Sequence, residues 1–173
     1  DQHDGVGAVE QFGFDAADLL VSSTEPTVAS KRFASSAEYS ADLQLTKTTS
    51  ADGQVIERSY DDAGRLSSTQ LPSGTLSCSY SPQGQLSNLT TPQGDTITFS
   101  YDGPLLESTT TTGTAPGTIH YDYDSAWRVS STAVNTNTPI GLGYDQDSLL
   151  TAAGPVQVNR ASSSGLPTTT TVS

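Results

Sequence analysis

The sequence has a single cysteine, no methionine, few charged residues and no long apolar run. One cysteine excludes a disulfide framework and a metal site made of several thiolates. A membrane-spanning helix needs about 20 consecutive apolar residues, so we expect no membrane span. Only 7 Lys and Arg stand against 19 Asp and Glu, a formal net charge of −12. This charge repels phosphate, so we expect neither nucleic acid nor anionic lipid as a partner.

What the sequence does contain favours β-structure. Hydrophobic residues make up 33% of the chain, whereas roughly 45–50% is usual for a globular domain. Ser, Thr, Gly and Asn fill the difference, and this mixture is typical of a thin sheet with one wet face. The chain opens on Asp1 and not on Met, which we interpret as a processed chain or a piece of a longer protein.

Aromatic and aliphatic residues recur together along the chain, and such periods indicate a repeat fold. Tyrosines follow one another at steps of 20 to 22 residues, and a leucine or valine comes six positions after most of them. The leucine of the fifth unit comes one residue early. The aromatic positions are Phe14, Tyr39, Tyr60, Tyr80, Tyr101, Tyr123 and Tyr144, and the aliphatic positions are Leu20, Leu45, Leu66, Leu86, Leu106, Val129 and Leu150.

Turn signals divide each period into two strands. An Asp after the ring, such as Asp61, can accept a hydrogen bond from the backbone two residues on, and Gly64 or Gly84 can take the positive φ that closes the turn. A second turn signal, often Pro-x-Gly, follows about ten residues later, so each unit is predicted to be a β-hairpin. Leu43 and Trp127 stand where the turn glycine is expected, which leaves the shape of those turns open.

Alternation within the strands predicts two different faces. Phe99 and Tyr101, like Tyr121 and Tyr123, are two residues apart and therefore lie on one face of a strand. The residues between them are small or polar. One face should carry the rings and leucines, and the other Ser, Thr and Asp.

These motifs resemble the YD-repeat (Rhs-repeat) family of bacterial Rhs polymorphic toxins, insecticidal toxin complex C components and teneurins. The resemblance rests on YDDAGRL at 60–66, YSPQGQL at 80–86 and YDQDSLLTAAGP at 144–155, and it covers about residues 12–167. It implies a twisted ribbon of hairpins that winds into a shell around another element, in a secreted or surface protein. Toxin members cleave themselves at a D-P-x-G segment. No Asp-Pro dipeptide occurs in this sequence, so that activity does not carry over.

Several residues also allow a chemical interpretation, which we weigh against a structural one. The tyrosines can pack on neighbouring strands or, if exposed, stack against sugar rings. The aspartates after the rings can cap turns or ligate calcium. His120, Asp122 and Asp124 alternate on one strand and could bind zinc or act as a base, but no second histidine has suitable spacing. Cys78 is expected to be a small apolar side chain.

We therefore predict an all-β protein of about seven to eight tandem hairpins over residues 12–173, after an irregular lead-in over residues 1–11. We predict no catalytic, cofactor-binding or metal-binding residues. The expected function is a structural shell segment of a secreted or cell-surface protein. The alternative is a carbohydrate-binding or adhesion module that uses exposed aromatics. Because an open sheet has unpaired edges, we expect further repeats of the same protein, or another copy, to cover them.

Overall fold

The computed structural model describes residues 10–25 and 33–172 and contains sixteen antiparallel β-strands. They are β1 (Gln11–Phe14), β2 (Leu20–Thr24), β3 (Ala34–Tyr39), β4 (Leu45–Thr49), β5 (Val55–Tyr60), β6 (Leu66–Leu71), β7 (Gly74–Tyr80), β8 (Leu86–Thr90), β9 (Thr96–Asp102), β10 (Leu105–Thr112), β11 (Gly117–Tyr123), β12 (Val129–Val134), β13 (Ile140–Tyr144), β14 (Leu150–Ala153), β15 (Val156–Arg160) and β16 (Pro167–Val172).

The predicted all-β hairpin architecture is confirmed. The sixteen strands make eight successive strand–turn–strand units, and the described residues contain no α-helix. Accordingly, the described part of the chain has no helix that is long and apolar enough to cross a bilayer. Strand β1 begins at Gln11, one residue before the predicted start of the ribbon. Residues 1–9 lie outside the described part, so the division into a lead-in and a ribbon stays a prediction.

The chain divides into two compact units. The first extends to Ser79 and includes Thr90–Gln93, and the second consists of Tyr80–Leu89 and the residues from Gly94 onward. In the first compact unit each strand from β1 to β6 pairs with the next one. Between β5 and β6, for example, the pairing runs from Glu57 opposite Gln70 to Tyr60 opposite Leu66. In the second unit the same pairing links β9 to β16 in order.

A one-residue register shift accounts for the six-residue spacing between ring and leucine. Between β5 and β6 the shift falls at Ser59/Tyr60, so that Tyr60 lies directly opposite Leu66. Tyr39 faces Leu45 in the same way, and Tyr123 faces Val129. A β-bulge of this kind increases the local twist and aims the ring at its partner. Rings and aliphatic residues therefore share one face of each unit, which we call the ring face; we call the opposite one the polar face.

The sheet has no closed core of its own. None of the described side chains is buried, hydrophobic or polar. Along β5 the ring-face residues Ile56, Arg58 and Tyr60 are half-buried, while Val55, Glu57 and Ser59 are exposed. A sheet in one layer can only half-bury its apolar face, because full burial needs a second layer. Hydrogen bonds must therefore supply much of the free energy that holds neighbouring hairpins together.

Candidate functional site

The turn after each ring is organised by the side chain of its first residue. In β5–β6, Asp61 Oδ1 accepts hydrogen bonds from the backbone N–H groups of Ala63 (3.0 Å) and Arg65 (2.9 Å). The Gly64 N–H donates to the Asp61 carbonyl at 2.8 Å, and Gly64 has a φ of 75°. This is a type I turn closed by a residue in the left-handed region.

The same turn forms without the glycine or the aspartate. Ser40 Oγ accepts from the N–H groups of Asp42 and Gln44 as Asp61 does in its own turn. Leu43 and Trp127 adopt φ values of 62° and 61° at the glycine position. The turns that the sequence left open therefore have the common shape, at a cost of roughly 1–2 kcal/mol for each left-handed side chain.

The tyrosine hydroxyl joins one hairpin to the preceding one. Tyr60 Oη donates to the Leu45 carbonyl at 2.8 Å, and Leu45 belongs to the previous unit. Four further pairs repeat this contact within the two compact units. They are Tyr39 to Leu20 (3.2 Å), Tyr101 to Leu86 (3.0 Å), Tyr123 to Leu106 (2.9 Å) and Tyr144 to Val129 (2.9 Å).

The register between hairpins explains why this carbonyl is available. The β4–β5 ladder begins where Thr49 lies opposite Val55 and ends where Lys47 lies opposite Glu57. Leu45 therefore lies beyond the end of the ladder. Tyr60, three residues past Glu57, spans the gap with its side chain. The carbonyl would otherwise lack a ladder partner on that side, and the phenol supplies one.

Arg160 takes the tyrosine position in the last hairpin, which the sequence pattern did not predict. The β14–β15 ladder ends where Ala152 lies opposite Gln157. Leu150 lies two residues and Arg160 three residues beyond that last pair. Leu45 and Tyr60 have the same positions relative to the end of the β4–β5 ladder. Arg160 Nε and Nη2 both donate to the Leu150 carbonyl, at 3.2 and 3.0 Å. Arg160 faces Pro167 and not Leu166, because this turn is one residue longer. The only signal was the 16-residue step from Tyr144, which does not fit the period.

A second set of contacts links neighbouring turns. The residue before the aliphatic position reaches the next turn, as when Gln44 Nε2 donates to the Gly64 carbonyl at 2.7 Å. Gln85 Nε2 donates to the Gly103 carbonyl at the same distance, and Arg128 Nη1 donates to Ser148 Oγ at 3.1 Å. The long polar residue in LQL (43–45), GQL (84–86) and WRV (127–129) was the sequence signal for these bonds.

Two turns carry an ion pair as well. Arg65 Nη2 lies 2.7 Å from Asp61 Oδ2, and Arg128 Nη2 lies 2.7 Å from Asp124 Oδ2. Hydrogen bonds from the arginine side chain, and then from backbone N–H groups, lower the pKa of Asp61 and of Asp124 below the ordinary value for aspartate. The Arg128 guanidinium carbon also lies 4.6 Å from the centre of the Tyr144 ring, which adds a cation–π contact between hairpins.

Of the residues considered for catalysis or metal binding, the two aspartates make structural contacts through their side chains. Asp122 accepts a hydrogen bond from Ser131 Oγ on the polar face, and Asp124 lies past the bulge, in the turn, where Ala126 and Arg128 engage it. His120 pairs with Ala133 across β11–β12. Within residues 10–25 and 33–172, no group of three or more His, Cys, Asp or Glu side chains is placed to hold a metal ion. Cys78 is a half-buried free thiol in β7.

Comparison with known proteins identifies the family to which this repeat belongs. The family model described as Teneurin YD-shell matches residues 14–170. This chain belongs to the Teneurin YD-shell family. The match spans every hairpin junction described above, from Phe14 to the Thr170 of the last strand. No curated protein matches the chain.

Solved structures share the fold of this YD-shell chain. The structure titled TcdB2-TccC3-Cdc42 aligns with a TM-score of 0.71 and 17% sequence identity over 87% of this chain. TcdB2-TccC3 without its hypervariable C-terminal region aligns with a TM-score of 0.70 and 17% identity, also over 87%. The chain corresponds to 9% of the length of each of those proteins. At this identity the likeness establishes the fold.

Proposed function

We propose that this chain is a non-catalytic structural segment of a YD-repeat shell, in a secreted or cell-surface protein, that encloses or displays another element. The observation that carries the proposal is the repeated hydrogen bond from a ring hydroxyl to the aliphatic carbonyl of the preceding hairpin. It uses the conspicuous residues of the repeat to hold hairpins together. Membership of the YD-shell family supports the same role.

The incomplete burial of the ring face supports the presence of a second layer that covers it. The six repeat tyrosines are half-buried, and Arg58 Nη1 on that face is shielded from solvent without a hydrogen-bond partner in the described structure. A shielded guanidinium nitrogen without an acceptor is unfavourable. A second element lying on the ring face would bury the rings and could supply the acceptor. We propose that further repeats of the same protein, or another copy, pair with the open edges at β1 and β16.

Cysteine labelling of the full-length protein tests the enclosure. Thr69 and Ser68 are adjacent, half-buried residues of β6 on opposite faces: Thr69 pairs with Leu76 and Arg58, and Ser68 with Ser77 and Ser59. In a Cys78→Ser background, a bulky water-soluble maleimide should label Ser68→Cys readily and Thr69→Cys slowly under native conditions. Equal labelling of both variants in the folded protein would show that the ring face is uncovered, and would contradict enclosure.

The location outside the cell has its own test. Fractionation of the producing cells should place the full-length protein in the medium or on the cell surface. Retention inside the cells would contradict that part of the proposal and leave the structural role intact.

Carbohydrate binding through exposed aromatics is the second candidate function. Phe12 and Phe14 are 55% and 59% exposed, which leaves apolar ring surface for stacking against sugars. Five of the six repeat tyrosines, in contrast, use their hydroxyls within the sheet. Titration of the chain with a panel of polysaccharides, followed by tyrosine and tryptophan fluorescence, tests this function. The absence of any saturable response would eliminate it.

A further inference from the structure

A surface pocket of about 300 Å³ lies between β10 and the turn after β11. Its lining includes Asp102, Glu107, Asp122, Asp124 and Trp127. Trp127 is the single tryptophan of the chain and is 72% exposed. Leu105, Tyr121 and Tyr123 complete the lining, so two tyrosines border the pocket together with the carboxylates and the indole. We call it the Trp127 pocket.

The carboxylates of the Trp127 pocket are only partly satisfied. Arg128 forms an ion pair with Asp124 at 2.7 Å. Asp102, Glu107 and Asp122 have no ion pair among the residues that the structure describes. Glu107 accepts from Ser100 Oγ at 3.1 Å, and Asp122 accepts from Ser131 Oγ; both donors are neutral. Three carboxylates without a cation of their own therefore line the same pocket as an exposed indole.

The turn itself does not need a tryptophan. Trp127 has a φ of 61°, in the region that Gly64 and Gly84 occupy in the equivalent turns. Glycine enters this region without strain, whereas a side chain there is unfavourable. The exposed indole also contributes little burial. Neither backbone geometry nor packing therefore explains why the largest side chain stands at this position.

We propose that the Trp127 pocket binds an organic cation, namely the guanidinium or ammonium group of an arginine or lysine side chain on a partner protein. Tryptophan is the side chain whose ring face attracts a cation most strongly. Carboxylates bind a guanidinium through charge-assisted, often bidentate, hydrogen bonds. The net charge of −12 disfavours an anionic ligand and raises the local concentration of cations.

A pair of matched small molecules tests the charge requirement. N-acetylargininamide, and a short arginine-rich peptide, are titrated into the whole chain while the fluorescence of Trp127 is followed. We expect a saturable change that weakens as salt is added. N-acetylcitrullinamide has nearly the same shape without the charge and should bind at least about tenfold more weakly, since the charged interactions carry the affinity. Equal binding of the neutral analogue would overturn the proposal.

Two variants separate the pocket from general attraction to an acidic protein. Trp127→Gly fits the turn and should bind the arginine peptide about tenfold more weakly by calorimetry. The double variant Leu43→Trp, Trp127→Gly moves the single tryptophan to the equivalent turn between β3 and β4. Leu43 has a φ of 62° there, close to that of Trp127, and is 59% exposed. Net charge and turn are kept, so this variant should show no saturable fluorescence change. A response equal to that of the native chain would mean non-specific attraction and would refute the proposal.

The carboxylates and an alternative ligand complete the test. Asp102→Asn and Glu107→Gln, which change charge without changing size, should each weaken binding several-fold. If neither does, the pocket is not the cation site. Methyl hexosides are titrated in parallel, because sugars also stack on indole. A saturable response to a hexoside without one to the arginine probes would identify a sugar site and overturn the cation assignment. Circular dichroism of every variant verifies that the sheet is retained.

Discussion

Tyr60 Oη donates a hydrogen bond to the backbone carbonyl of Leu45, 2.8 Å away and one hairpin earlier in the chain. Leu45 lies past the end of the β4–β5 ladder, so this phenol takes over where backbone pairing stops. The contact makes each ring a connection between hairpins in addition to a source of apolar area. Because the tyrosine recurs along the sequence, the same hydrogen bond recurs between hairpins, and each bond can be removed by a single mutation.

Removal of the Tyr60 hydroxyl should destabilise the sheet. Tyr60→Phe keeps the ring but leaves the part-buried Leu45 carbonyl without this donor, at a cost of about 1–2 kcal/mol in the free energy of unfolding. Urea unfolding followed by circular dichroism measures the change. Tyr121→Phe is the matched control, because the Tyr121 hydroxyl has no hydrogen bond in the described structure and its loss should change stability by less than about 0.5 kcal/mol. Similar losses in both variants would contradict the role assigned to the hydroxyl.

Arg160 should tolerate tyrosine and not methionine. Arg160→Tyr introduces the residue that six of the other hairpins use and keeps one bond to the Leu150 carbonyl. Arg160→Met keeps an apolar stem of similar length but loses both bonds, and we expect a loss of about 1.5–3 kcal/mol, as for hydrogen bonds with a charged donor. Amide hydrogen exchange of β15 and β16 reports the effect locally. Faster exchange in the tyrosine variant than in the methionine variant would refute the equivalence of Arg160 with the ring position.

Glycine should stabilise the turn that Leu43 now occupies. Leu43 has a φ of 62° and is 59% exposed, so Leu43→Gly relieves strain and forfeits little packing. The greater entropy of the unfolded glycine chain offsets part of the gain. We expect a net increase of about 0.5–1 kcal/mol in unfolding free energy. Ala41→Gly, in the same turn but without a positive φ, should instead be destabilising. A loss of stability in Leu43→Gly would show that the side chain contributes more than its exposure indicates.

Removal of an arginine should raise the pKa of its partner aspartate. The lowered pKa of Asp61 means that its stabilising contribution is present above the ordinary aspartate pKa, near 3.8, and is lost as the pH falls through the lower folded-state pKa. In Arg65→Gln the pKa of Asp61 should move toward the ordinary value, so the acid-dependent loss of stability should be smaller and should be complete at a higher pH. Carboxyl-carbon NMR titration measures each pKa.

The second ion pair provides the control for this titration. Arg65→Gln should leave the lowered pKa of Asp124 in place, and Arg128→Gln should do the reverse. Both variants change the net charge equally, so a general charge effect would shift both aspartates in both variants. That result would contradict a local cause.

Local chemistry made the fold readable from the sequence. A turn such as Asp61–Arg65 needs only neighbouring residues, and period-2 alternation such as Phe99–Ser100–Tyr101 follows from strand geometry. These turn and strand features recur at a fixed spacing along the chain. Each occurrence alone is weak evidence, but together they indicate a repeat fold. The hairpin architecture and the expectation that rings and aliphatic residues share one face followed from them.

The contacts between hairpins were decided by the tertiary structure. The sequence contains Tyr60 and Leu45, but only the end of the β4–β5 ladder reveals that a carbonyl is left for the hydroxyl. The register alone shows that Arg160, which has neither ring nor hydroxyl, stands in the tyrosine position. Leu43 and Trp127 take a glycine conformation because strand pairing on both sides of the turn imposes it. Near neighbours in the chain set the hairpin, whereas these features depend on where distant backbone groups come to lie, which no local pattern encodes.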